Sequence, residues 1–101
     1  MYVGIMKLEL NLHGVSSLKA KRSVVRSLLG RLRNRFPVSG AEVSLQDSWQ
    51  RTCLGFSMVA CDRSDIDSVF RRIEDAIEMS GLAEPGLREV DIFPFQTGHL
   101  N

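Results

Sequence analysis

Seven cations, Lys19, Lys21, Arg22, Arg26, Arg31, Arg33 and Arg35, crowd one stretch of a chain whose formal net charge is only +1. No acidic residue lies between Glu9 and Glu42, whereas residues 42–101 hold eleven acidic residues and five basic ones. The chemistry such a stretch offers is neutralisation of a polyanion, because cations laid along a phosphate backbone release its condensed counterions. The charges are held against local preference. Lys19, Lys21 and Arg22 open a helical pattern, where the macrodipole favours anions, and each costs a few tenths of a kcal/mol. Arg22/Arg26 and Arg31/Arg35 are like-charged at i,i+4, and Gly30 in mid-helix costs roughly 1 kcal/mol against alanine. Local rules broken without visible compensation mark functional surfaces. Lys19, Lys21, Arg22, Arg26 and Arg33 are therefore the expected phosphate contacts, with Trp49 and Arg51 adding a nearby one. Lys21 falls at the edge of the apolar face, where its stem can snorkel.

Other chemistries find little support. His13 is a lone histidine in the loop HGVSS, without a second group to form an acid–base pair. Glu42 and Asp47 have opposite strand parity, and Glu42 is better matched to a cation of the neighbouring helix. Cys53 and Cys61, read on one strand, are on the order of 26 Å apart at ~3.3 Å per residue. They are expected as buried free thiols, in keeping with a reducing cytoplasm. The cysteines and the histidines His13 and His99 form no metal-ligand spacing. RNA-recognition sheets display aromatics on strand three, but RTCLGFSMV offers only Phe56, expected in the core. The expectation is no metal, no cofactor and no enzymatic activity. The opening MYVGIMKLEL lacks the basic start of a signal peptide, and no apolar run approaches the roughly 20 residues of a membrane span.

These residues need a scaffold. Residues 2–12 alternate, with Met6, Leu8, Leu10 and Leu12 on one face, and read as a half-covered strand. Ser16 or Ser17 can cap the helix that follows. Leu18, Val25, Leu28, Leu29, Leu32 and Phe36 form its apolar stripe, and Pro37 stops it. On a helical projection Lys19, Arg22, Arg26 and Arg33 share one flank, within about 60° of arc, and Arg31 and Arg35 share the other. Ser23, Ser27, Gly30 and Asn34 lie between. VSGAEVSLQ reads as a strand with Ala41, Val43 and Leu45 inward, and QDSWQR as a connection. TCLGFSMVAC is apolar on both faces, as a central strand would be. Asp62 or Ser64 starts a second helix with Ile66, Val69, Phe70, Ile73 and Ile77 buried. SGLAEPG turns the chain into a last strand, LREVDIFPF. The order β-α-β-β-α-β predicts an α+β, ferredoxin-like sandwich with a four-stranded antiparallel sheet and two helices on one face. Pro37 and Pro94 suit the second and fourth strands at the sheet edges. One domain is expected over 1–95, with a flexible C-terminal tail over 96–101.

The segment SLKAKRSVVRSLLGRLRNRFPVSGAEV, followed by QDSWQRTCLGFSMVACD, resembles the YlxP-like family of small bacterial proteins of unknown function. Ser17, Leu18, Lys19, Lys21 and Arg22 carry the most specific part. Arg35, Phe36, Val38, Ser39, Ala41 and Glu42 support it, as do Asp47, Trp49, Gln50 and Arg51. The resemblance runs from about residue 2 to about residue 93. It implies the ferredoxin-like fold, and genes lying among those for transcription elongation, translation initiation and ribosome maturation. It implies no activity.

The expected function is non-catalytic binding of ribosomal RNA or a ribosomal particle through the basic helix, in the cytoplasm and without a membrane. The alternative is a homodimeric interaction module using the open sheet face, where Val3 and Ile5 point outward.

Overall fold

The computed structural model describes residues 1–96, so the tail expected over 96–101 lies, but for Gln96, outside the described residues. Its elements run β1 (Tyr2–Leu12), α1 (Leu18–Arg35), β2 (Ser39–Ser44), β3 (Arg51–Ala60), α2 (Arg63–Met79) and β4 (Ala83–Pro94). All strand pairs are antiparallel and the sheet order is β2-β3-β1-β4. This is the ferredoxin-like βαββαβ sandwich expected from the sequence, with β2 and β4 at the edges; β4 carries Pro85 and Pro94, while Pro37 lies just before β2 rather than in it.

Period-two alternation in β1 sends Met6, Leu8, Leu10 and Leu12 under the helices. They meet Val25, Leu28, Leu29 and Leu32 of α1 and Ile66, Phe70, Ile73 and Ile77 of α2 in one core. Full burial of each large side chain contributes roughly 1.5–3 kcal/mol. Phe56 joins this core rather than the open sheet face. Ser17 caps α1, its Oγ accepting from the Ala20 N–H at 3.1 Å. At the other end the Phe36 N–H still donates to Leu32 O, and Pro37, lacking an N–H, cannot extend the ladder.

Gly30 has nothing within 4 Å of the place a Cβ would occupy. Gly30→Ala is therefore expected to stabilise the protein by roughly 1 kcal/mol, read as a rise in the urea midpoint. An unchanged or lowered midpoint would show that this glycine answers a local constraint.

Three expectations need correction. In β2, Glu42 faces the helices and Val43 the open side, the reverse of the alternation read from the sequence. Gly40 faces the helical layer because a Cβ there would lie 3.0 Å from Phe56 and 3.3 Å from Leu29. Glu42 follows it inward to ion-pair Lys21, and Val43 instead folds over Gly55. The last strand starts at Ala83 rather than Leu87. A register shift between Leu8 and Leu10 of β1 lets Pro85 and Gly86 run within an edge strand. Cys61 lies just past β3 and is exposed, so only Cys53 is a buried thiol, and burial pushes its pKa up.

Candidate nucleic-acid interface

The α1 stretch forms its helix with no acidic residue in the first turn and with Arg33 and Arg35 in the last. Because its apolar stripe is pinned on the sheet, the remaining arc is presented outward. Lys19, Arg22, Arg26, Arg31, Arg33 and Arg35 are all exposed. Among the described residues, none of them makes an ion pair. Three carboxylates of the fold are engaged elsewhere: Glu42 with Lys21, Glu74 with Arg88, Asp67 with Arg71. Arg33 makes one contact, its Nη1 donating to the Gly40 carbonyl at 3.3 Å, which places this flank of α1 beside the edge strand β2. Between the flanks, Ser23, Ser27 and Asn34 are exposed and Gly30 is half-buried. A backbone of phosphates can approach such a low ridge closely.

The structure removes two residues from the expected site. Lys21 is only 1% exposed. Its Nζ lies 3.0 Å from Glu42 Oε2 and also donates to the Leu45 carbonyl. The Thr52 hydroxyl donates to the same carboxylate. The side chain projects from the middle of the apolar stripe, so its stem is packed in the core and its ammonium is internally satisfied. It holds no phosphate. Arg51 is exposed but turned to the face of the sheet opposite the helices, where its Nη2 pairs with Glu9 Oε1 at 3.1 Å. It is no partner of the α1 flank.

Trp49 is 50% exposed in the connection between β2 and β3. That connection is held to α1 by the Lys21 bond to Leu45, whose φ of 62° lies in the left-handed region. A β-branched or bulky residue seldom adopts that conformation unless surrounding contacts enforce it. The connection is also tied to the end of β1, where the Leu12 N–H donates to Gln50 O. His13 sits exposed at that end, with its backbone N–H on Leu82 O.

One feature of the surface carries no signal in the sequence. Arg31 and Arg35 on the far flank of α1 meet Arg72 of α2 in a groove between the two helices. Arg35 and Arg72 both lie over the ring of Phe36, with their Cζ atoms 5.1 and 5.3 Å from its centroid. No local pattern joins Arg72 to the basic stretch, because α2 reads as a charge-balanced amphipathic helix.

The opposite face of the sheet carries different chemistry. A shallow depression of about 610 Å³ runs across it, bounded by Ile5, Lys7, Ala41, Val43, Gly55 and Asp91 among others. Ile5, Val43, Val59 and Phe93 are exposed there. Its charges are partly self-neutralised, as Lys7–Glu89 at 3.4 Å and Arg51–Glu9. Among the described helices none is long and apolar enough to cross a membrane.

The model of a protein family described as "Protein of unknown function (DUF503)" matches residues 3–86. The chain is 35% identical over 71 residues to the uncharacterized protein YlxP of Bacillus subtilis (strain 168), covering 70% of this chain and 77% of YlxP. Among solved structures it is similar to a de novo designed ferredoxin-fold protein, with a TM-score of 0.64 at 13% identity, over 100% of this chain and 95% of the design. It is also similar to the structural-genomics protein YJCS, with a TM-score of 0.58 at 10% identity, over 88% of this chain and 96% of that one. At such identities these structures speak to the fold alone.

Proposed function

The chain belongs to the DUF503 family, described as proteins of unknown function, and we propose that this member is a non-catalytic RNA-binding protein that acts on ribosomal RNA or ribosomal particles. The observation that carries the reading is the row of exposed α1 cations without a carboxylate partner among the described residues. A surface helix serving only stability would interleave acidic residues at i,i+4. Here Glu42, Glu74 and Asp67 pair with other cations, and no described carboxylate pairs with the exposed cations of α1. Lys19, Arg22, Arg26 and Arg33 are the phosphate contacts of one flank. In the polar cluster inside the fold Lys21 and Thr52 are buried, Glu42 is half-buried, and the three satisfy one another, which supports binding over catalysis.

Four phosphate contacts on single-stranded RNA give a log–log salt slope of about −2.8. The test is co-sedimentation with ribosomal particles, and binding to free ribosomal RNA, across a salt series. Affinity should fall about fiftyfold between 50 and 200 mM salt on that slope. A salt-independent affinity, or no binding at low salt, would overturn the reading.

A second reading rests on the open sheet face. Its apolar side chains and self-paired charges suit a second copy of the chain better than RNA, so a homodimer through this face is compatible with α1 free on the other side. Sedimentation equilibrium should then show a dimer that Ile5→Asp/Val43→Asp converts to monomer with its fold intact. A monomer at high concentration in the wild type would dismiss it.

A further inference from the structure

We propose that the groove between α1 and α2 is a phosphate subsite, in which Arg35 and Arg72, with Arg31 one turn away, hold one phosphodiester of the bound RNA. This inference rests on the RNA reading and extends it to a second element of the fold. The groove encloses about 400 Å³ and has an apolar floor that includes Leu28, Leu32 and Ala76. Arg31, Arg35 and Arg72 line it and are exposed. None of the three is ion-paired among the described residues. Two guanidiniums from different helices are thus held over one buried ring, Phe36, although like charges repel. A guanidinium resting on an aromatic face keeps its N–H donors directed outward from its own plane edge, free for an oxyanion. A phosphate oxygen shared between the two would relieve the repulsion and accept charge-assisted hydrogen bonds from both. Asp75 is the one carboxylate in the groove. It disfavours an anion beside it, so the phosphate belongs at the part of the groove lined by Arg35 and Arg72, the two arginines that pack on Phe36.

The placement also explains the charge on both flanks of α1. A strand crossing over Ser23, Ser27, Gly30 and Asn34 touches Arg22, Arg26 or Arg33 on one side. It then touches the Arg35–Arg72 pair on the other, one helix width of about 10 Å away.

The first arm of the test uses no RNA. Pyrophosphate is titrated into the wild-type protein while the Nε–Hε signals of its arginines are followed by NMR. Arg35 and Arg72 should shift together and saturate, while Arg71 and Arg88, already paired with carboxylates, stay in place. No selective response overturns the subsite. The second arm compares wild type, Arg35→Gln/Arg72→Gln and Arg35→Lys/Arg72→Lys for RNA affinity across salt. The glutamine pair should weaken binding roughly tenfold or more at low salt and flatten the slope by about 0.7, since one phosphate contact is lost. The lysine pair keeps the charge and should recover the slope but not the full affinity, since a point charge lacks the planar fork. If the glutamine pair binds RNA as wild type does, the subsite falls while the RNA reading stands. If wild type binds pyrophosphate in the groove but no RNA, the assignment to RNA falls, and the groove belongs to a small phosphorylated ligand.

Discussion

Glu42→Ala is expected to destabilise the protein by roughly 3–5 kcal/mol, a large share of the 5–15 kcal/mol that holds a typical domain together. The substitution leaves the Lys21 ammonium at 1% exposure with a single backbone acceptor, the Leu45 carbonyl, and no counterion. It also strips the Thr52 hydroxyl of its acceptor. Lys21→Met in the same background should recover most of the loss, because an apolar side chain of similar length fills the slot without a charge to solvate. Lys19→Ala, two residues earlier and exposed, should stay within about 0.5 kcal/mol of wild type. Urea denaturation of the four proteins measures all of this. A Glu42→Ala variant within 1 kcal/mol of wild type would mean that Lys21 is free in solution, and would return it to the list of cations available to RNA.

The second large effect is on binding. Arg22→Glu/Arg26→Glu/Arg33→Glu should abolish association with RNA at 50 mM salt while leaving the urea midpoint nearly unchanged. Three of the four cations on that flank are lost and three charges of the same sign as the phosphates replace them, so of the contacts behind the slope of about −2.8 only Lys19 remains on that flank. The fold should not suffer. These arginines are exposed and unpaired with carboxylates, and Arg33 gives up only a 3.3 Å bond to the Gly40 carbonyl. Acidic charge at position 22, near the helix start, acts in the stabilising direction, while positions 22 and 26 remain a like-charged i,i+4 pair as in the wild type. Retained affinity in this variant would move the RNA surface off α1.

Much of this protein is legible in the one-dimensional pattern. Alternation in β1, the 3.6-residue stripes of α1 and α2, Ser17 before the first helix and Pro37 after it are local facts, and local physics turns them into elements. The edge position of β4 agrees with its Pro85 and Pro94, because a residue without an N–H is poorly tolerated mid-sheet, whereas Pro37 lies before β2. The run without acidic residues also announces a positive surface.

Which of those cations remain available is a tertiary matter. Lys21 differs from Lys19 in nothing but position. It becomes a core residue because it projects from the apolar stripe of α1, and Glu42, on the helix-facing side of β2, meets its ammonium there. Arg51 is claimed by Glu9, across a strand pairing that joins positions far apart in the chain. Arg72 enters the interface only because two helices pack side by side on one sheet and bring it over Phe36 beside Arg35. Charge can be counted along a chain. Pairing depends on which side chains the packed elements place within about 4 Å of each other, where Coulomb attraction outweighs the entropy of holding them.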